Sequence, residues 1–174
     1  MHRQRGARGQ VLGGAVEIVH ATCVALDGRG ILIRGKPGAG KSDLALRCLM
    51  MCASPFSSRG FQLVADDQVV VERNGGCLVA TAPPVLRGKL EVRGHGIIDL
   101  CGGGSGVQGP TALAERAEIA LIVDICDPGE AVERLPDPVP TADLLGCLLP
   151  LMRLHAFEAS APAKLAVALT HRYG

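Results

Sequence analysis

The sequence predicts an α/β fold in which helices flank a sheet of short buried strands. Hydrophobic residues make up 48% of the 174 residues but aromatic residues only 2%, so the core is expected to be aliphatic. The runs 31–33, 61–65 and 119–125 are rich in Ile, Leu, Val and Ala, which is typical of strands buried on both faces. A glycine-rich loop follows the first run, and apolar residues with helical spacing follow the loop. This order of strand, loop and helix is typical of an α/β protein.

The length of 174 residues favours one compact domain. Residues 1–15, with Arg3, Arg5 and Arg8, are predicted to be a basic flexible tail, and residues 16–174 a single domain. The formal net charge of +1 argues against a nucleic-acid partner. No apolar stretch is long enough to span a membrane, and none follows Arg8 as it would in a signal peptide.

Seven cysteines indicate reduced thiols rather than a disulfide framework or a zinc site, because the number is odd and no C-x-x-C pair occurs. Most of them lie in apolar runs, so we expect buried free thiols in a cytoplasmic protein. Cys48 and Cys52 lie four residues apart on a predicted helix. They are expected to pack in the core rather than bind a metal.

Alternation, turn residues and helical spacing predict the other elements. They are a hairpin of 16–26 with 31–34, a helix from Ser42 to near Cys52, a loop at 53–60, a hairpin of 69–73 with 77–80, a flexible connection at 102–106, a last strand at 148–154 and a closing helix at 162–172. The run 86–100 is too charged and glycine-rich for a core element. It predicts a surface loop or a loop that handles phosphate.

Residues 35–42 form the pattern G-x-x-x-x-G-K-S of a phosphate-binding loop. Glycines let the backbone N–H groups point at phosphate oxygens, and the following helix adds its positive dipole end. The alternative is a chance turn in a chain with 23 Gly, but the strand–loop–helix context favours a nucleotide site. The predicted nucleotide-binding residues are Gly35, Lys36, Pro37, Gly38, Ala39, Gly40, Lys41 and Ser42.

Two adjacent carboxylates, Asp66 and Asp67, end the predicted strand 61–65. Carboxylates there fit the usual ligand edge of an α/β sheet. They repel each other unless a cation such as Mg²⁺ relieves the repulsion. A strand-ending turn explains the pair equally well, because Asp favours turns. His20 lies in the hairpin before the loop and could come close to it.

Four blocks of sequence, in order, resemble the catalytic domain of the HPr kinase/phosphorylase family, which phosphorylates a serine of a small phosphocarrier protein. They are His20, the loop 35–42, the run L-V-A-D-D at 63–67 and the run L-E-V-R-G-H-G-I-I-D at 90–99. The resemblance implies a nucleotide-binding architecture like that of phosphoenolpyruvate carboxykinase. It also implies ATP and Mg²⁺ as cofactors, an HPr-like partner and a homo-oligomer, specifically a hexamer.

The same resemblance implies catalytic roles for His20, Lys41, Asp67 and Arg134. Asp67 would be the general base for the acceptor serine, with His20 tuning its protonation. Lys41 would stabilise charge on the transferred phosphoryl group, and Arg134 would contact phosphate.

Ser42 and Glu91 are the implied Mg²⁺ ligands, since both offer the hard oxygen atoms that Mg²⁺ prefers. The expected function is an ATP-dependent protein-serine kinase acting on an HPr-like phosphocarrier, with reverse phosphorolysis left open because 153–160 replaces the family's basic segment. The alternatives are a small-molecule or carboxykinase-like phosphotransferase and a nucleotide-binding regulatory module. Retention of Asp67 and Glu91 argues against the module.

Overall fold

The computed structural model describes residues 14–53, 57, 59–101, 112–134 and 136–172. Within them, two short helical segments, Pro84–Leu86 and Ala168–Arg172, accompany the main elements. The main elements are β1 (Val16–Val19), β2 (Thr22–Leu26), β3 (Arg29–Arg34), α1 (Lys41–Leu49), β4 (Gln62–Ala65), β5 (Val69–Asn74), β6 (Cys77–Thr81), β7 (Lys89–Val92), β8 (Gly96–Asp99), β9 (Arg116–Ile125), β10 (Thr141–Leu144), β11 (Cys147–Leu154) and α2 (Ala161–Val167).

A curled mixed sheet forms the body of the molecule, in the order β1-β5-β6-β9-β3-β2-β4, with β11 also paired to β9. Strand β9 is central because it has three partners. It runs parallel to β3 along most of its length, antiparallel to β6 at its start and parallel to β11 at its end. Strand β6 therefore pairs with the first residues of β9 and β11 with the last ones.

The core has two parts, one on each face of the sheet. In β3, Ile31 and Ile33 belong to the cluster that includes α1 and α2, whereas Leu32 belongs to the opposite cluster, where β5, β6 and β10 contribute. All three side chains are fully buried. Burial on both faces explains why this strand is a continuous apolar run.

Several predicted elements are confirmed. Strands β2 and β3 form a hairpin, and β5 and β6 form a second one across Gly75 and Gly76. The predicted strand 16–26 is interrupted, however, and its first part, β1, pairs with β5 rather than with β3. Helix α1 follows the glycine loop as expected but ends at Leu49.

Other predictions need correction. The run 86–100 contains the two-stranded sheet β7–β8. The closing helix is α-helical only to Val167, and β10 was not predicted. All seven cysteines are free, but Cys52, Cys77 and Cys101 are exposed. Of the pair Cys48 and Cys52, only Cys48 packs in the core, because Cys52 lies beyond the end of α1. Residues 1–13 of the predicted tail and the connection 102–106 lie outside the described residues.

Four strands end at the same edge of the sheet. Strands β9 and β11 are parallel to β3, and β4 has the same direction because both β4 and β3 are antiparallel to β2. The segments after these four strands therefore meet at one edge, where ligands bind in α/β sheets. These segments are the glycine loop, the Asp66–Asp67 pair, residues 126–130 and residues 155–158.

Candidate active site

The glycine loop connects β3 to α1 in a tight turn. The Ala39 N–H donates to the Lys36 carbonyl at 3.1 Å, and Gly38 and Gly40 have φ of 80° and 98°. A Cβ atom on Gly40 would also lie 2.8 Å from Cζ of Phe157. Glycine is therefore required at position 40 both by its backbone conformation and by the contact with Phe157.

Lys41 is the buried cation of the loop, with only 7% of its surface exposed. Its Nζ donates to the carbonyls of Gly35 at 2.9 Å and Lys36 at 3.2 Å and lies 3.3 Å from Nε2 of His20. Burial lowers the pKa of Lys41, although the charges of Asp66 and Asp67 act in the opposite direction. The ammonium group is thus held inside the loop, where a phosphate group would be bound.

Asp66 is a buried carboxylate, 5% exposed, that joins three elements of the site. Its Oδ1 accepts hydrogen bonds from Thr22 Oγ1 at 2.7 Å and from Ser42 Oγ at 2.9 Å. Its Oδ2 accepts from the Glu91 N–H at 3.1 Å. The sequence predicted a catalytic role for Asp67 but no separate role for Asp66. The position of Asp66 directly after an apolar strand was the feature that could have indicated one.

Asp67 has the opposite environment. Its side chain is 63% exposed, and its backbone has φ of 67°, which is uncommon outside glycine. Its Oδ1 lies 3.4 Å from Nδ1 of His20. A hydrogen bond from the Lys41 ammonium to Nε2 requires the tautomer of His20 whose proton is on Nδ1, the ring nitrogen that faces Asp67.

One cavity of about 270 Å³ brings most predicted site residues together. It is lined by His20, Pro37, Gly38, Gly40, Lys41, Ser42, Asp43, Leu46, Asp67, Glu91, Val92, Arg93 and Phe157. Arg134 is exposed and lines a different cavity, of about 990 Å³, beside α2. The structure therefore brings His20, Lys41, Ser42, Asp67 and Glu91 into one site but does not bring Arg134 there.

Two ion pairs fasten the loop to the residues at the end of β9. Arg34 binds Asp124 through two hydrogen bonds, of 2.8 and 3.0 Å, and Lys36 pairs with Asp127 at 2.5 Å. The hydrogen bond and the charge of Asp127 raise the pKa of Lys36. Sequence reasoning missed both pairs, because each joins residues that are about ninety positions apart in the chain.

The site thus contains the features of a phosphate-binding-loop domain, namely a glycine loop between a strand and a helix, a buried loop lysine and a loop serine bound to a strand-ending aspartate. Within the described residues, no group of three or more His, Cys, Asp or Glu side chains is arranged to hold a metal ion. None of the helices that the structure describes has the length and apolar character needed to cross a membrane.

The chain belongs to the family of the HPr Serine kinase C-terminal domain, whose model matches residues 14–172. The HPr kinase/phosphorylase of Limosilactobacillus reuteri (strain DSM 20016) is 36% identical over 135 residues, which cover 76% of this chain and 38% of that protein. The HPr kinase/phosphorylase of Burkholderia lata is 35% identical over 151 residues, covering 86% of this chain and 42% of that protein.

The fold is also similar to a solved structure, that of the Hpr(Ser) kinase/phosphatase from Coxiella burnetii. The TM-score is 0.70 and the sequence identity 25%, with 88% of this chain and 93% of that chain covered. This similarity confirms the predicted α/β fold class. The chain spans about four tenths of the length of the two curated relatives described above.

Proposed function

We propose that this chain is an ATP-dependent protein-serine kinase that phosphorylates an HPr-like phosphocarrier of a phosphotransferase system. Membership of the family and the names of its relatives support the choice of substrate. The observation that carries the proposal is the row Lys41–His20–Asp67, which places a phosphate-binding cation and an exposed carboxylate in one cavity.

The donor's phosphate groups would lie in the glycine loop. The loop N–H groups and the first turn of α1 offer positive potential, and Lys41 adds a full charge that the loop carbonyls already orient. Negative charge that develops between the β- and γ-phosphates is stabilised best by groups that need no reorganisation. Lys41 is already held within the loop, and it would exchange one of its three present contacts for a phosphate oxygen.

Mg²⁺ fits the donor set of this cavity. The Ser42 hydroxyl donates a hydrogen bond to Asp66, so the lone pairs of its oxygen remain available to bind a cation. The Glu91 carboxylate lines the same cavity. Mg²⁺ is usually held by one or two protein oxygens together with phosphate and water. Ser42 and Glu91 would hold it, and when bound it would neutralise charge on the phosphate groups.

Asp67 would act as the general base. As the acceptor serine Oγ attacks the γ-phosphorus and ADP leaves, the serine proton passes to the Asp67 carboxylate. The proton on His20 Nδ1 orients that carboxylate, and the exposure of Asp67 leaves it accessible to a serine carried by another protein. Position relative to the serine matters more here than the basicity of the carboxylate.

Three further parts of the proposal rest on the family alone. Contact of Arg134 with phosphate stays a prediction, and it would need another arrangement of 131–140 or a neighbouring subunit, because Arg134 lines a separate cavity. Assembly into a homo-oligomer, specifically a hexamer, is proposed on the same basis, whereas a cytoplasmic location is proposed from the free cysteines. Reverse phosphorolysis can be tested by adding orthophosphate to the phosphorylated partner.

The test is transfer of labelled γ-phosphate from ATP to a purified HPr-like protein. We expect acid-stable label on serine with the wild type, none with Lys41→Ala, and none with Asp67→Asn although Asp67→Asn still binds ATP. Glu17→Gln is the control, because Glu17 is an exposed carboxylate on β1 outside the cavity. Transfer by Asp67→Asn would refute the general base. ATP binding without transfer by the wild type would favour the regulatory module.

A further inference from the structure

A second cavity, of about 580 Å³, adjoins the phosphate cavity. Pro37, Gly38 and Phe157 line both of them. Sites for nucleotide-sized ligands typically have volumes of about 300–1,000 Å³, so the phosphate cavity alone, at about 270 Å³, is small for a whole nucleotide. The two cavities together offer a phosphate part and a larger part joined at the glycine loop.

Phe157 stands at the junction of these cavities. One edge of its ring lies against the backbone of Gly40, yet the residue is 69% exposed. The chain has only three Phe, one Tyr and no Trp, so an exposed ring at the mouth of the phosphate loop is an unusual use of a scarce residue. A free aromatic face next to a phosphate site is the kind of surface on which nucleobases stack.

The turn that carries Phe157 is fixed on two sides. Arg47 of α1 donates to the carbonyl oxygen of Glu158 at 3.1 Å and also to that of Ala156. The Cys126 N–H donates to the Leu154 carbonyl at 2.9 Å, which ties the end of β11 to the end of β9. The backbone that carries the ring is therefore fixed before any ligand arrives, which lowers the entropic cost of binding.

Charges around the second cavity are compatible with the nucleoside part of an anionic nucleotide. Asp127 is paired with Lys36, and Glu158 is paired with Lys164, so neither acidic side chain stands alone at the rim. His155 and the backbone of 127–129 offer polar groups for a sugar or a base. An inorganic polyphosphate would need the phosphate cavity only.

We propose that the second cavity holds the nucleoside of the phosphoryl donor and that its base stacks on Phe157. The inference rests on the proposed function, since it extends the same donor site. Phe157 would then be a binding residue that distinguishes nucleotides from inorganic polyphosphates. An inorganic polyphosphate occupies the loop but has no base that could stack on the ring.

The test compares the affinities of ATP and tripolyphosphate by titration calorimetry. Since one base–aromatic stack is lost, Phe157→Ala should weaken ATP binding about 5- to 100-fold and change tripolyphosphate binding by less than about twofold. Phe157→Tyr should keep the affinity for ATP. Leu148→Ala is the matched control, because Leu148 is 71% exposed but lies on β11 outside both cavities. It should affect neither ligand.

A fluorescence experiment reports the same contact directly. The chain has no Trp, so Phe157→Trp places a single Trp at the junction of the cavities. Its emission should change when ATP is added and stay constant with tripolyphosphate. Leu148→Trp should respond to neither ligand.

Two results would overturn the inference while leaving the proposed function intact. If Phe157→Ala weakens ATP and tripolyphosphate equally, Phe157 only supports the loop through Gly40. If it weakens neither, the base binds elsewhere. A wild type that binds neither ligand would refute the phosphate site itself, and with it both proposals.

Discussion

Asp66 and Asp67 are adjacent at the end of β4 but lie in opposite environments. Three protein donors satisfy the buried Asp66 carboxylate, whereas Asp67 is exposed and has His20 at 3.4 Å. A buried acceptor with three donors contributes to stability, because removing it leaves those donors unpaired. An exposed polar contact such as the one between His20 and Asp67 contributes little. Loss of the Asp66 carboxylate should therefore lower the free energy of unfolding, whereas loss of the Asp67 carboxylate should leave it nearly unchanged.

Replacing each aspartate by asparagine separates these effects. Asp66→Asn should lower the free energy of unfolding by about 1–3 kcal/mol, because its NH₂ group would face a donor where an acceptor is needed. Asp67→Asn should leave stability within about 0.5 kcal/mol, since Asn tolerates a left-handed backbone. Urea unfolding followed by far-ultraviolet circular dichroism measures both. Equal losses for the two variants would contradict the structural role assigned to Asp66.

Among the elements of the chain, those set by neighbouring residues could be predicted and those set by distant contacts could not. The glycine loop, helix α1 and the β5–β6 hairpin follow from local spacing and turn residues, and the structure contains all three. The β7–β8 hairpin was missed because three glycines and several charges conceal its alternation. The turn 155–158 contacts Gly40 of the loop and Arg47 of α1, both more than a hundred residues away, so no local pattern indicates it.

The contact between the glycine loop and this turn can be tested with two glycines of similar backbone conformation. Gly28 and Gly40 have φ of 82° and 98°, so alanine at either position should cost about 1–2 kcal/mol of stability. A Cβ atom on Gly28 meets nothing within 4 Å, whereas one on Gly40 lies 2.8 Å from Phe157 and 3.1 Å from the buried Ala156. Gly40→Ala should therefore be the more destabilising, and Phe157→Ala should recover part of the excess.

Urea unfolding of Gly28→Ala, Gly40→Ala, Phe157→Ala and the Gly40→Ala/Phe157→Ala double variant provides the measurement. Positions in direct contact give non-additive effects, so the double variant should be more stable than the sum of the single losses predicts. Strict additivity would show that the ring and the loop do not constrain each other.

On the scale of the whole molecule, the direction of four strands assembles the site. The segments that follow β3, β4, β9 and β11 supply the glycine loop, the two aspartates, Asp127 and Phe157 at one edge of the sheet. Local sequence placed the aspartates at a strand end, but the register of β9 against both β3 and β11 depends on the complete fold. For that reason the position of the glycine loop between a strand and a helix could be predicted and the adjoining cavity could not.

Strand β9 also belongs to both parts of the core, so the two faces should unfold together. Leu121 packs on the face with the helices and its neighbour Ile122 on the opposite face, and both are fully buried. Leu121→Ala and Ile122→Ala should each lower the free energy of unfolding by about 2–5 kcal/mol and keep a single transition of unchanged urea dependence. Circular dichroism gives the overall transition, and hydrogen exchange of β6 and α1 follows each face separately. If Ile122→Ala increased hydrogen exchange in β6 while α1 stayed protected, the two faces would unfold as separate units. The stability of the site would then depend on the helical face alone.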